Sequence, residues 1–550
     1  MKKSDLAPCG LITAVFIAAL LFVGRLPSVP LDDSWNFVLP LKHFMATGVP
    51  IFDSFNSAAA VLHLVFSAPL VFIFGFDFQN TVAFNLLVTW LTLIAIYALG
   101  RQAGASKTTS TFAALVYFAA PPVFVTAFTF QSDPIFILFE VLALIGFVRY
   151  MIRKDMRSLI FASVIAALSI WGKMHGALIA PAVLAALSLS NNPRRKTPLG
   201  HYFIIGLPTL ISLAAFKLAS PLIHPVSATL DRKFAESLER LFSPEVWLKD
   251  GSFRIDIACV TVCFYLLPWI ISSIKFRPDG EESRLKPKIL LPLGLIVATL
   301  TWFFVIAARL QSKPWAMISS VLTEPPTMEP MSLFGYLYLG TLIALPLWIF
   351  WSLNLRPKNF QDQNTSVFRL GLFIFLFQLL ALVPIKLFMD RYFLTLLPPA
   401  ILMTLILPRL SRPRTWLFSI LIIAFFALNI ARVRQYRNGC EAQWQAADAL
   451  VAEGFNSLEI DGGYAWVGWN NYEKCRDMPK SAEAPSLSPW VLELCPRMRP
   501  KWKVTFYPPG MDDDFVISRQ LLYDAGRLLG KRPVYVLKKS GASPAIKFES

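Results

Sequence analysis

Charge is what this sequence has least of: Asp, Glu, Lys and Arg make up 16% of its 550 residues, against 55% hydrophobic and 14% aromatic. So little polar surface cannot coat a soluble globule, and with a mean hydropathy of +0.54 the chain reads as a polytopic membrane protein. A signal-peptidase site is missing as well. The opening "MKKSDLAPCGLITAVFIAALLFVGRLP" has lysines before an apolar run, but no small-residue cleavage site leads into a soluble domain, so residues 10 to 27 are expected to be an uncleaved first span. There is no basic domain. The net charge of +17 is scattered in short groups between apolar runs, which argues for topology signals and anionic-lipid contact and against nucleic acid. Internal repeats and low-complexity runs are absent too, which weighs against carrier folds built from duplicated halves.

What is present is a series of apolar runs, each near the roughly 20 residues a span needs. They fall at 10–27, 82–99, 110–127, 134–151, 159–172, 175–190, 200–220, 255–275, 289–308, 334–353, 369–388, 392–408 and 416–432. Thirteen spans starting inside place every basic cluster in the cytoplasm: Lys2 and Lys3, Arg101 and Lys107, 153–157, 194–196, 275–288, 356–358, and Arg409, Arg412 and Arg414. That count requires the apolar stretch 58–76, with His63 and Pro69, to lie at the outer interface instead of crossing. The outer face then receives 28–80, the 128–133 loop, the turn at Lys173, the loops 221–254 and 309–333, the turn 389–391 and everything after 433.

The expected fold class is therefore an all-α polytopic membrane protein of about thirteen spans, followed by a small outer α/β domain over 433–550. In that tail "CEAQWQAADALVAEG" and "DDDFVISRQLLYDAGRLLG" read as helices, and "SLEIDGGYAWVG", "WKVTFYP" and "RPVYVLKK" as strands. Cys440, Cys475 and Cys495 lie in this outer tail, where two of them are expected to pair, with the pairing open. Cys9, Cys259 and Cys263 sit in or near the membrane, and nothing beside them completes a metal site.

The polar residues at the outer boundary carry the functional signal. Asp32 and Asp33 stand side by side where the first span ends. Two adjacent carboxylates repel, so one tends to keep a proton unless cations or hydrogen-bond donors offset the repulsion, and a helix cap needs only one acid. Asp133 opens a span in "SDPIFILFE", where an acid near the positive helix end is an ordinary capping arrangement. Lys173 and His175 sit in "WGKMHG" between two short helices, with Gly172 and Gly176 allowing close packing, a setting that suits anion binding. Asp390, Arg391 and Tyr392 stand at the outer mouth of the twelfth span, and a guanidinium there suits phosphate because its planar fork donates twice and stays charged.

In order along residues 10 to about 410 these segments resemble the C-type (GT-C) integral-membrane glycosyltransferases, the superfamily of protein O-mannosyltransferases and lipid A aminoarabinose transferases. The resemblance is carried by the acid pair followed by "KHFMATG", the interfacial segment before span two, "SDPIFILFEVLAL", "LSIWGKMHGALIAPAVLAAL" and "DRYFLTLLPPAILM". It implies inverting transfer of a sugar from a polyprenyl-phosphate donor to a hydroxyl of a lipid, glycan or protein acceptor. Asp32 would be the general base with Asp33 beside it, and Lys173 and Arg391 would hold the lipid phosphate, helped by Tyr392 and His175. Asp133 would hold sugar or acceptor hydroxyls, or a divalent metal ion. The interfacial segment departs from its relatives: "NSAAAVLHLVF" offers only His63 where they often carry a proline pair and a charged residue. The implied setting is the plasma (inner) membrane, N-terminus cytoplasmic and C-terminal domain periplasmic or extracellular. The alternative class is a lipid-linked glycan flippase, which would place its polar residues near the bilayer midplane, along a path open to both sides.

Overall fold

In the computed structural model the described residues are 3–52, 60–189, 198–223, 236, 239–247, 252–273, 362–385, 390–407, 413–475, 495, 498–509, 514–525 and 530–540. The expected spans 289–308 and 334–353, the loop 309–333 and most of the loop 221–254 lie outside them. Helices dominate: α1 (Leu6–Val23), α2 (Ser34–Thr47), α3 (Val61–Phe74), α4 (Phe78–Gln102), α5 (Lys107–Ala119), α6 (Pro121–Ala127), α7 (Asp133–Arg153), α8 (Met156–Ser169), α9 (Ile179–Ser188) and α10 (Leu199–Ile223). After these come α11 (Ser252–Tyr265), α12 (Leu267–Ser273), α13 (Asp362–Leu382), α14 (Leu397–Ile406), α15 (Thr415–Ala452) and α16 (Tyr464–Cys475).

Six of the described helices are long and apolar enough to cross a bilayer, and a seventh crossing follows if α5 and α6 form one broken span. The protein is an integral membrane protein. The sequence reads 110–127 as one straight helix, and here the structure corrects it: α5 and α6 meet at a 71° bend. Pro121 and Pro122 are the reason, since proline lacks an amide hydrogen and keeps the residue before it out of helical geometry; Ala120 sits extended at ψ 124°. The break frees a carbonyl at Ala119, and the Asn429 amide of α15 donates to it at 2.7 Å. Inside a bilayer such a group has to be satisfied by protein.

Helix α3 occupies the stretch expected at the interface. Its 14 residues measure about 21 Å, short of the about 30 Å hydrocarbon thickness. One face, with Leu62, His63, Leu64, Ser67 and Val71, is buried, and the other exposes Phe66, Phe72 and Ile73. In the bundle, α4 packs on α5 and α7, α7 on α8, and α8 on α10. Aromatic contacts tie α15 to this core: Phe112 stacks on Phe418 at 4.0 Å, and Phe118 meets Phe426 at 5.3 Å.

The tail contains a four-stranded sheet of order β1-β2-β4-β3, from β1 (Ile460–Asp461), β2 (Trp502–Thr505), β3 (Phe515–Asp524) and β4 (Lys531–Lys539). Strands β1 and β2 run parallel, and the β2–β4 and β4–β3 pairs are antiparallel. Two local readings are corrected here. The stretch "DDDFVISRQLLYDAGRLLG" reads as helical, yet 515–524 is an edge strand, because one side of its backbone pairs with β4 at nine positions. Of "SLEIDGGYAWVG" only Ile460–Asp461 is a strand: Ser457–Glu459 forms a 3-10 turn, Gly463 turns the chain at φ +86° with its N–H held by Asp461 at 3.1 Å, and α16 starts at Tyr464. Helix α15 runs unbroken past residue 433 to Ala452, so the membrane bundle and the tail share one helix. The disulfide joins Cys475 to Cys495, and Cys440 is a free thiol.

Candidate active site

The acid pair lies in the loop between α1 and α2, and both ends of that loop are held by the tail. Glu441 of α15 pairs with Arg25 and accepts from the N–H and Oγ of Ser28, at 3.1 and 3.0 Å. Arg437, one turn earlier, donates to the carbonyls of Val23 and Arg25. Within the loop Asp32 adopts φ +51°, a left-handed conformation that L-residues other than Asn and Asp take at a cost.

Asp33 occupies the N-cap position of α2, yet its side chain makes no cap bond. One carboxylate oxygen pairs with Arg391, and the other accepts the Tyr464 hydroxyl at 2.7 Å. The Asp32 carboxylate accepts from the Gln131 amide at 3.2 Å and stands 3.6 Å from Arg391. Its side chain is 25% exposed against 15% for Asp33, so Asp32 is the more reachable of the two. Burial first, and then the negative charge of Asp33, push its pKa up to about 7, against the opposing pull of Arg391. A carboxylate tuned this way can take up a proton near neutral pH.

The second pair lies deeper. Asp133 is the first residue of α7 and forms a buried ion pair with Lys173. Lys173 precedes a 3-10 turn, Met174–Leu178, which Gly176 makes possible: a Cβ there would lie 2.2 Å from Ser169 Oγ. Burial pulls the Lys173 ammonium below its ordinary pKa, while Asp133 supports its charge. Arg391 and Tyr392 come from the 3-10 segment Asp390–Leu396, which runs into the Pro398–Pro399 start of α14. The Tyr392 ring lies between the two cations, 5.4 Å from Lys173 Nζ and 5.9 Å from the Arg391 guanidinium. Three acids and two cations from four chain segments thus form one cluster, with both cations over one tyrosine ring.

The loop 128–132 backs this cluster. Asn85 of α4 donates to the carbonyls of Thr129 and Gln131 at 2.8 and 2.9 Å, and the Phe130 N–H donates to Ser34 Oγ at 3.0 Å. His175 sits in the turn after Lys173, with its carbonyl held by Gln378 at 3.3 Å. His63 makes no ion pair among the described residues: it is fully buried against Phe37, Phe84 and Phe130, 4.1 Å from the last, within electrostatic reach of Asp133. The Asp390 side chain lies outside the described residues. Nothing local in the sequence marks Tyr464 or Gln131, and Ser34 shows there only as a capping residue. Tyr464 lies 431 positions from its partner, and no local pattern marks such a contact.

A divalent ion does not suit this donor set. Among the described residues no three His, Cys, Asp or Glu side chains come together. Asp133 is bound to Lys173, and Asp33 to Arg391.

Residues 60–221 match the family model described as dolichyl-phosphate-mannose-protein mannosyltransferase. The match covers His63, Asp133, Lys173 and His175, and over that segment the resemblance read from the sequence holds. Among solved structures the chain is similar to ArnT from Cupriavidus metallidurans bound to undecaprenyl phosphate, at 13% identity and a TM-score of 0.44, over 97% of this chain and 99% of that one. It is also similar to the apo form of the Archaeoglobus fulgidus oligosaccharyltransferase, at 13% identity and a TM-score of 0.44, over 90% of this chain and 69% of that one. No curated protein sequence matches the chain.

Proposed function

We propose that this protein is an inverting glycosyltransferase that moves a sugar from a polyprenyl-phosphate donor to a hydroxyl of a lipid, glycan or protein acceptor at the outer face of the plasma membrane. The observation that carries the reading is the pairing of a reachable, proton-accepting carboxylate, Asp32, with two cations grouped around Tyr392. The family description, which names a dolichyl-phosphate sugar, supports the donor class.

The chemistry needs those groups in those roles. Asp32 takes the proton of the acceptor hydroxyl as its oxygen attacks the anomeric carbon. The bond from that carbon to the phosphate oxygen breaks, and its electron pair leaves with the lipid phosphate. Arg391 and Lys173 neutralise the phosphate, and their value is greatest at the moment its charge develops. A single displacement, with the hydroxyl oxygen arriving opposite the departing phosphate oxygen, inverts the anomeric centre. Asp133 keeps Lys173 charged within its buried turn, and Gln131 and Asp33 orient the base.

The test is Asp32→Asn in the purified full chain, reconstituted in vesicles with a panel of labelled polyprenyl-phosphate monosaccharides. Asn tolerates the left-handed backbone at 32, so the variant should fold normally. Transfer is expected to fall by about 10²–10⁴-fold. Wild-type transfer by the variant would remove Asp32 from the role of base. A flippase would instead carry outside-added donor into the vesicle lumen without labelling any acceptor, and that result would replace the transferase reading.

A further inference from the structure

We propose that Tyr464, in the first turn of α16, is a positioning residue of the transfer site: with Arg391 it occupies both oxygens of Asp33 and so leaves Asp32 as the member of the pair that accepts the acceptor's proton. The inference rests on the transferase reading for its consequence in catalysis, though the clamp itself does not depend on it. Its ground is the asymmetry between two neighbouring acids of identical chemistry. Asp33 has a charged partner on one oxygen and a phenol O–H on the other, both from segments far away in the chain. Asp32 has only neutral donors at hydrogen-bond distance, the Gln131 amide at 3.2 Å and the backbone N–H of Asp33, with the guanidinium at 3.6 Å. Hydrogen bonds to the ionised form hold a carboxylate ionised, so Asp33 stays an anion, and its fixed charge beside Asp32 favours protonation there.

The clamp is built into the way the tail docks. Tyr464 and Tyr472 of α16 both pack on Trp35 of α2, at 5.8 and 5.3 Å between ring centroids. Gly468 lies flat on that indole: a Cβ at this position would come within 2.3 Å of it. Trp469 adds an edge contact to Phe78 of α4 at 4.9 Å. Burial and the charge of Asp33 keep the Tyr464 phenol protonated, and hence a donor. The other titratable groups near Asp33 are Asp32 on its own loop, Arg391 and Tyr392 from the 3-10 segment, Lys173 from the α8 turn and Tyr436 from α15. Tyr464 alone among these donates to Asp33 from α16, so the outer unit contributes a polar group to the membrane site.

The experiment is Tyr464→Phe in the full chain, which keeps the ring on Trp35 and removes only the donor. The carboxyl C=O infrared band of protonated aspartate is followed through the neutral pH range and assigned with Asp32→Asn and Asp33→Asn. In the wild type the band that titrates there is expected to vanish with Asp32→Asn. In Tyr464→Phe its midpoint should rise by about one pH unit as Asp33 begins to share the proton. The acidic limb of the transfer rate should move up by the same amount. At neutral pH, kcat should fall about fivefold while KM for the donor holds. On an Asp33→Asn background the Phe substitution should leave the Asp32 titration unchanged, which a merely structural role would not predict. Wild-type titration in Tyr464→Phe, or an equal shift on both backgrounds, overturns the clamp. The infrared titration needs no donor lipid: a shifted band in a protein that transfers no sugar would leave the clamp standing and defeat the transferase reading.

Discussion

In the proposed transfer Asp32 couples chemistry to pH most directly. A base must be unprotonated to work, and burial and Asp33 push the Asp32 carboxyl up to about 7, so transfer should rise with pH through neutrality and fall away below it. The measurement is a kcat profile in buffered vesicles; a flat profile through neutrality would show that Asp32 is not what limits the rate. Arg391 makes a different demand, because it reaches both acids and lies over Tyr392. Arg391→Lys keeps the charge but loses the fork, so transfer should drop by about 10²–10³-fold with the bundle still folded. Near-normal kcat in the lysine variant would reduce the site's requirement to a point charge. Glu140, two turns into α7 from Asp133, has no assigned role. It is fully buried, and neither carboxyl oxygen has a partner among the described residues. An unpaired buried polar group costs about 1–3 kcal/mol, so Glu140→Met should raise the melting temperature of the detergent-purified protein. A lowered melting temperature would mean that the carboxyl is paired.

Helices and strands were legible to different degrees. The start of α7 at Asp133 and the turn at Lys173 follow from local chemistry: an acid and a proline open a helix, and a glycine pair lets a turn close. Strand β3 was misread because its apolar residues mimic a helical period, while its conformation is set by hydrogen bonds to β4, an element later in the chain. Helix α16 was misread for a similar reason. Its sequence is aromatic and β-prone, and packing on α2 outweighs that preference. The fit at Gly468 gives a prediction for the element. Gly468→Val should lift α16 from Trp35, so limited proteolysis beyond residue 452 should accelerate while the membrane helices keep their circular dichroism. Unchanged protease resistance would show that α16 is held mainly elsewhere.

At the scale of the molecule, the acids, the cations and the C-terminal unit form one assembly through α15, whose N-terminal part lies in the bundle and whose C-terminal part grips the α1–α2 loop by Glu441 and Arg437. The residues expected to act, Asp32, Asp33, Asp133, Lys173, Arg391 and Tyr392, were visible in the sequence because ionisable groups at the ends of apolar runs are costly there and therefore conspicuous. Membrane residence was determined by composition alone, since a chain with 16% charged residues has no soluble solution. Which oxygen meets which donor was decided only by the tertiary structure. Asp32 and Asp33 are indistinguishable as letters; the difference between the more exposed acid and its clamped neighbour arises from Arg391, 358 residues away, and Tyr464, 431 residues away. Hydrogen bonds act over about 3 Å in space and carry no trace of their separation along the chain.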